Sequence, residues 1–226
     1  MNIKSALILA VAASSVAFMS SCTSVPSSGS GLAAYQAYDR PTKLPTNPNN
    51  VRIKVSLSKQ RTYVMEGSEI LLAMPVSVGK PGSATPSGNF RIFNKTAKRR
   101  ANTHGYAVKG NSVKKVRLSD KPSGYSFKGT PMPYWAEFKP AYGFHTGWVK
   151  HTPCTLGCIR MHENLAPKFF RLIKVGTPVN IAYSQPEDAT FGNIPLPPDA
   201  GPLPDYPVSM YLGDGYFTRH KTPVFQ

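Results

Sequence analysis

Between residues 145 and 162 the sequence reads His-Thr-Gly-Trp-Val-Lys-His-Thr-Pro-Cys-Thr-Leu-Gly-Cys-Ile-Arg-Met-His, and this stretch holds three of the chain's five histidines and two of its three cysteines. A thiol acts as a nucleophile only as thiolate, so it needs a base within reach and hydrogen-bond donors for the oxyanion that forms after attack. Cys158 has candidate bases in His145, His151 and His162. Gly157, directly before it, lets backbone N–H groups come close to a tetrahedral intermediate. Two other chemistries fit the same residues. Cys154 and Cys158 could form a disulfide in an oxidising compartment. His145, His151, Cys154, Cys158 and His162 are zinc-compatible in type, although none of the usual paired metal-ligand spacings is present. Residue types alone leave the three open.

Positioning such a cluster requires a scaffold, and the sequence points to strands. Val51, Ile53, Val55 and Leu57 alternate with Arg52, Lys54 and Ser56, the period-2 pattern of a half-buried strand. Thr62 to Met65 predicts a second strand, Glu66-Gly67 a turn, and Ile70 to Val78 a third strand. A loop over 79–88 leads to another strand around Phe90 to Phe93, and the basic, turn-rich segment 94–130 carries no clear pattern. One helix is predicted, capped by Asn164, with Pro167 in its first turn and Gly176 ending it. Its apolar face is Leu165, Phe169, Leu172 and Ile173. A strand follows at Val179 to Tyr183. Many strands, one helix and no βαβ alternation predict a mainly β fold, a sandwich with one packed α-helix. The tail over 184–226 holds eight of the chain's 22 prolines but also Tyr206, Tyr211, Tyr216 and Phe217, which suits a strap lying on the domain.

The 226 residues allow one domain with tails, and 27 basic against 11 acidic residues give a formal charge of +16. That excess favours a polyanionic partner without selecting one. Lys4, the apolar stretch Ala6 to Phe18 and the small Ser20 and Ser21 before Cys22 have the layout of a secretory signal. Met19-Ser20-Ser21-Cys22 resembles a lipobox, which makes Cys22 the expected lipidation site and 1–22 the cleaved signal. Residues 23–50, rich in Ser, Pro, Gly and Asn, are expected to tether the lipid to a domain over 51–183.

The cluster and its flanks resemble the L,D-transpeptidase (YkuD-type) catalytic domain. The motif residues are His145-Thr146-Gly147 and then, 13 positions on from the histidine, Thr155-Leu156-Gly157-Cys158-Ile159-Arg160, the short-spacer form. Val51 to Val64, Val76-Ser77-Val78-Gly79-Lys80-Pro81 with Thr85-Pro86-Ser87-Gly88, Pro131-Met132-Pro133-Tyr134-Trp135, and Leu165 to Val179 extend the resemblance over about 51–183. Leu156 departs from it, standing where the family has histidine; His151 or His162 would have to fill that place.

The resemblance implies Cys158 as nucleophile and His145 as base, oriented by a main-chain carbonyl near Thr146. The Gly157 and Cys158 N–H groups, with Tyr134 nearby, would hold the oxyanion, and Tyr134, Trp135, Arg160 and Thr155 would meet substrate. It implies cleavage of the terminal D-Ala from tetrapeptide stems of peptidoglycan and 3→3 cross-linking, with water or a lipoprotein amine as other acceptors. No metal or other cofactor is expected. A wall-binding lipoprotein with a degenerate site is the rival expectation. Export and the lack of a recognisable module argue against nucleic acid as partner. The expected location is the cell envelope, lipid-anchored on the periplasmic face of the outer membrane.

Overall fold

The alternation that begins at Val51 builds three consecutive antiparallel strands, β1 (Val51–Ser56), β2 (Arg61–Glu66) and β3 (Glu69–Ser77). The computed structural model describes residues 31–199, 206–219 and 222–226, so the apolar leader and Cys22 lie outside the described residues. After β3 come β4 (Gly88–Arg91), β5 (Asn94–Thr96), β6 (Arg100–Lys109), β7 (Ser112–Arg117), β8 (Ser126–Pro131), β9 (Trp135–Lys139), β10 (Tyr142–Thr146), β11 (Ile159–Met161) and β12 (Pro178–Ala182). The helices are α1 (Gly31–Ala37), α2 (Leu165–Leu172) and three short ones, α3 (Glu187–Thr190), α4 (Val208–Leu212) and α5 (Gly215–Thr218). The fold is mainly β.

Nine strands form one sheet in the order β4-β12-β1-β2-β3-β11-β10-β9-β5, and β7-β6-β8 form a second. In the large sheet β4 and β5 sit at opposite edges, yet only Ile92 and Phe93 join them in sequence. The sheet must therefore curl until its edges approach, and Phe90 of β4 meets Phe138 of β9 with ring centroids 5.3 Å apart. Inside the curl lies the core: Ile53, Val55, Val64, Leu72, Met74, Phe144, Ile159, Met161 and Ile181, closed by Leu165, Phe169 and Leu172 of α2. Phe169 packs on Phe144 at 4.7 Å. Burying each such side chain contributes about 1.5–3 kcal/mol.

The helix is shorter than its sequence pattern. It stops at Leu172 because Ile173 is already extended, and Gly176 (φ +94°) instead makes the turn into β12. Asn164 does not cap it: its backbone is helical, and its side-chain amide donates to Gln36 O and Tyr38 O, both at 2.8 Å.

Residues 31–50, expected as part of a flexible tether, are instead packed onto the domain from α1 onward. Tyr35 is 1% exposed, and its hydroxyl accepts the Val149 N–H at 3.0 Å. Lys168 of α2, almost fully buried, donates to Asp39 and to Arg40 O. Glu66 accepts the Thr46 and Asn47 amides. The Leu32, Tyr35 and Tyr38 side chains supply the apolar surface that a Ser/Pro/Asn-rich composition hides.

The described part of the tail behaves as a strap. Ile194 covers Tyr63, Met65 and Ala73 on the outer face of β2 and β3. Tyr206 and Tyr216 pack with Tyr35 and Trp148. Glu163 accepts the Tyr206 hydroxyl and pairs with Arg219 at 3.3 Å.

Candidate active site

Strand β10 lies parallel to β11, with Phe144 opposite Ile159 and His145 opposite Arg160. Phe144 and Ile159 point into the core. Because side chains alternate along a strand, His145 and Arg160 share the other face. Cys158, one step before β11, falls on that same face, level with Gly143 and diagonal to His145. Gly143 is needed there: a Cβ would meet the Trp135 ring at 2.8 Å.

The His145 ring has one defined partner. Its Nδ1–H donates to Thr146 O at 2.8 Å. A carbonyl can only accept, so the proton sits on Nδ1 and the Nε2 lone pair remains for a proton from elsewhere. Burial first, and the Arg160 guanidinium second, push the imidazole down from its ordinary 6.5 to about 4, against the favourable Thr146 contact. Burial also pushes the Cys158 thiol up, with Glu137 adding to it, while the Gly143 amide, Arg160 and Arg99 pull the other way. At neutral pH the Cys158 thiol and the His145 imidazole are thus both neutral, on one face of the sheet.

This fixes a pH dependence. Acylation of Cys158 should hold down to about pH 5 and fall as pH drops through about 4, where His145 takes a proton. An acid limb between 6 and 7 would contradict the buried, neutral base. Stability follows the same sign: an imidazole harder to protonate when folded contributes fully above its unfolded value, about 6.5, and loses that contribution as pH falls toward 4.

Turns on either side hold Cys158, and its thiol has a defined partner. Its Sγ–H donates to Ala141 O at 3.7 Å, within range for sulfur. Ala141 has φ +66°, unusual without glycine. Glu137 stabilises that turn by accepting the Ala141 N–H at 3.0 Å, and it also accepts from Trp135 Nε1 at 3.2 Å and Asn94 at 3.1 Å. Burial opposes the Glu137 charge, but these donors together with Arg99 outweigh it and hold the carboxyl below its usual range. Sequence reading missed Glu137; the one available signal was an acid inside the otherwise apolar stretch Trp135-Ala136-Glu137-Phe138.

Thr155, expected at substrate, is 1% exposed and cannot meet one. It builds the turn instead: its hydroxyl donates to Cys158 O at 2.6 Å and accepts the Gly157 N–H at 3.1 Å. The Gly157 amide, expected in the oxyanion hole, is therefore engaged within the turn. Thr155→Val, equal in shape, should cost about 1–3 kcal/mol by stranding these two backbone groups. Thr155→Ser should recover most of that in urea unfolding, and an equally damaged serine variant would refute the hydroxyl's role.

The remaining sequence-selected residues divide. Arg160 is half-buried beside the pair, with Nη1 3.8 Å from Cys154 Sγ. Trp135 is 1% exposed, stacked under Arg99 with its ring 6.2 Å from His145, so it backs the site rather than touching solvent. Tyr134 packs edge-on against Phe170 at 5.4 Å and against the main core.

Neither spare histidine replaces the motif imidazole. His162 is fully buried, bonded to Tyr35 O at 2.8 Å and accepting the Asn164 N–H at 3.1 Å. His151 contacts Pro197 O at 2.7 Å. Leu156 occupies that place alone, half exposed. Cys154 and Cys158 are both free thiols, so no disulfide joins them. Among the described residues no group of three His, Cys, Asp or Glu side chains could hold a metal ion.

Solved L,D-transpeptidase structures resemble this fold in part. An L,D-transpeptidase from Mycobacterium smegmatis is 19% identical, covering 59% of this chain and 58% of its own, with a TM-score of 0.47. One from Stackebrandtia nassauensis is 19% identical over 68% of this chain and 65% of its own, TM-score 0.46. An LD transpeptidase in complex with imipenem, LdtMt1, is 21% identical over 59% of both chains, TM-score 0.45. The matched part spans less than two thirds of each of these proteins. No curated protein matches the chain. The L,D-transpeptidase catalytic domain matches residues 50–181, from β1 through β12, and the chain belongs to that family.

Proposed function

We propose that the protein is a peptidoglycan L,D-transpeptidase whose nucleophile is Cys158. The observation that carries this reading is the pairing of β10 with β11, which puts His145, with Nε2 unprotonated, and Cys158 on one face. In the forward step the Cys158 thiol gives its proton to His145 Nε2 as sulfur attacks the carbonyl that precedes the terminal D-Ala of a tetrapeptide stem. The Cys158 N–H supports the oxyanion. The tetrahedral adduct collapses, the C–N bond breaks, and His145 returns the proton to the departing D-Ala amine. The side-chain amine of a second stem then attacks the thioester to give a 3→3 cross-link and free thiol. Water in its place gives carboxypeptidase activity, and a lipoprotein amine gives wall attachment. The site works in the cell envelope, with the chain held to a membrane through Cys22, on the periplasmic face of the outer membrane.

A second reading, a wall-binding lipoprotein that turns over poorly, is favoured by Leu156 and by the raised Cys158 thiol. Incubation with disaccharide-tetrapeptide muropeptides separates the two by mass. Loss of D-Ala together with dimer formation supports the first reading. Saturable binding with unaltered muropeptides supports the second.

A further inference from the structure

From Lys98 to Lys128 the chain carries nine lysines and arginines against one acid, Asp120. Most of that run forms the three-stranded sheet β7-β6-β8, separate from the sheet that holds the site. Lys98 and Arg100 pair with Asp214 of the strap, and Arg99 stacks on Trp135. Lys109, Lys114, Lys115, Arg117 and Lys128 are exposed and have no acidic partner among the described residues. Three of them, Lys114, Lys115 and Arg117, lie on β7, a free edge strand, and Lys115 shares a cross-strand row with Tyr106 and Lys128.

Charge on an edge strand guards against pairing with another chain. That explanation leaves two features over. The cations are interleaved with apolar side chains turned to solvent, Val113 at 37% and Leu118 at 46% exposure. The sheet is also linked to α1 through a relay of aromatic rings. Successive ring contacts run from Tyr35 of α1 through Trp148, Tyr206 and Tyr211 to Tyr106 of β6, none longer than 6.2 Å between centroids. Upstream of α1 lies the sequence with the apolar Ala6 to Phe18 stretch. Dissolved polyanions attract lysines but give no reason to present valine and leucine among them. A bilayer bearing phosphate headgroups does both: each basic residue near its surface is drawn to the headgroups, and apolar side chains enter below them.

We propose that the free edge of β7, through Val113, Lys114, Lys115, Arg117 and Leu118, docks on an anionic phospholipid surface. The aromatic relay ties the sheet to α1, the element that follows the apolar leader in sequence. This inference is independent of which acyl acceptor the site uses, and of whether the site turns over.

The test uses the full chain carrying Leu118→Trp, with vesicles of phosphatidylglycerol or phosphatidylcholine whose acyl chains are brominated. Trp135 and Trp148 are buried and supply a constant background. The introduced indole should shift to the blue and be quenched on phosphatidylglycerol, and remain water-like on phosphatidylcholine even where the leader holds the chain to the vesicle. Adding Lys114→Gln, Lys115→Gln and Arg117→Gln, or raising the salt to about 0.5 M, should abolish the quenching, because the attraction is screened within a Debye length. Val113→Trp provides an independent reporter at the other end of the strand. Quenching equal on both lipids overturns the proposal, as does quenching that survives the triple substitution. A chain that binds polyphosphate in solution while its indole stays unquenched on phosphatidylglycerol assigns the edge to a soluble polyanion instead.

Discussion

A carbapenem should add once to the wild-type chain and not at all to Cys158→Ala, while Cys154→Ala should still take up a single adduct. Both thiols are free and lie four residues apart, so mass alone does not separate them and the two variants are needed. The expectation follows from the site's own asymmetry. Cys158 has an imidazole with an open Nε2 on its face of the sheet, whereas Cys154 has the Arg160 guanidinium as its neighbour. His145→Ala should slow the addition by roughly 10²–10⁴, the range by which a positioned base accelerates attack. It should leave alkylation of Cys158 by iodoacetamide at high pH intact, since solvent hydroxide then supplies the thiolate. If His145→Ala and wild type acylate within a few-fold of each other, His145 is not the base and the proposed mechanism falls.

How much of this was legible in the sequence depends on how local each signal is. The strands of β1 to β3 follow from alternation because one face of each is buried, and burial patterns are written residue by residue. Gly147 was legible as part of a motif, and the structure supplies its cause: a Cβ there would meet Arg160 Cδ at 2.9 Å. Roles set by long-range partners were not legible. Thr155 looks like a motif residue at the substrate, yet its hydroxyl serves the backbone of its own turn. Tyr134 stands next to Trp135 in sequence, but its ring packs on Phe170 whereas the Trp135 ring lies by His145. The packing of α1 depends on Tyr35 reaching Val149, more than a hundred residues away, and no window of composition contains that contact. The same holds for Glu137, whose value lies in the Ala141 amide and in a turn that sequence does not display.

Gly157→Ala should damage both stability and acylation, and Gly147→Ala should do much less, although both glycines flank the same site. Gly157 has φ +109°, where a side chain is strained whatever the space around it, at a cost of about 1–3 kcal/mol. An added Cβ would also stand 2.5 Å from Tyr142 Cε1 and 3.2 Å from Ala84 O. The Tyr142 ring is half-buried against the core and cannot swing freely. Moving it pulls on the Ala141–Gly143 segment, which carries the carbonyl that receives the Cys158 thiol. A displacement of about 1 Å in a reacting group costs on the order of 10²-fold in rate. Gly157→Ala should therefore lower stability by about 2–4 kcal/mol, as strain and overpacking combine, and slow carbapenem acylation at least a hundredfold in the fraction that remains folded. At Gly147 the obstacle is the flexible stem of Arg160, not a packed ring, and φ is not left-handed, so Gly147→Ala should stay within about 1–2 kcal/mol and tenfold. Urea unfolding and single-turnover acylation on both variants decide the matter. Equal losses at the two positions would show that the Tyr142 contact does not hold Cys158 in place.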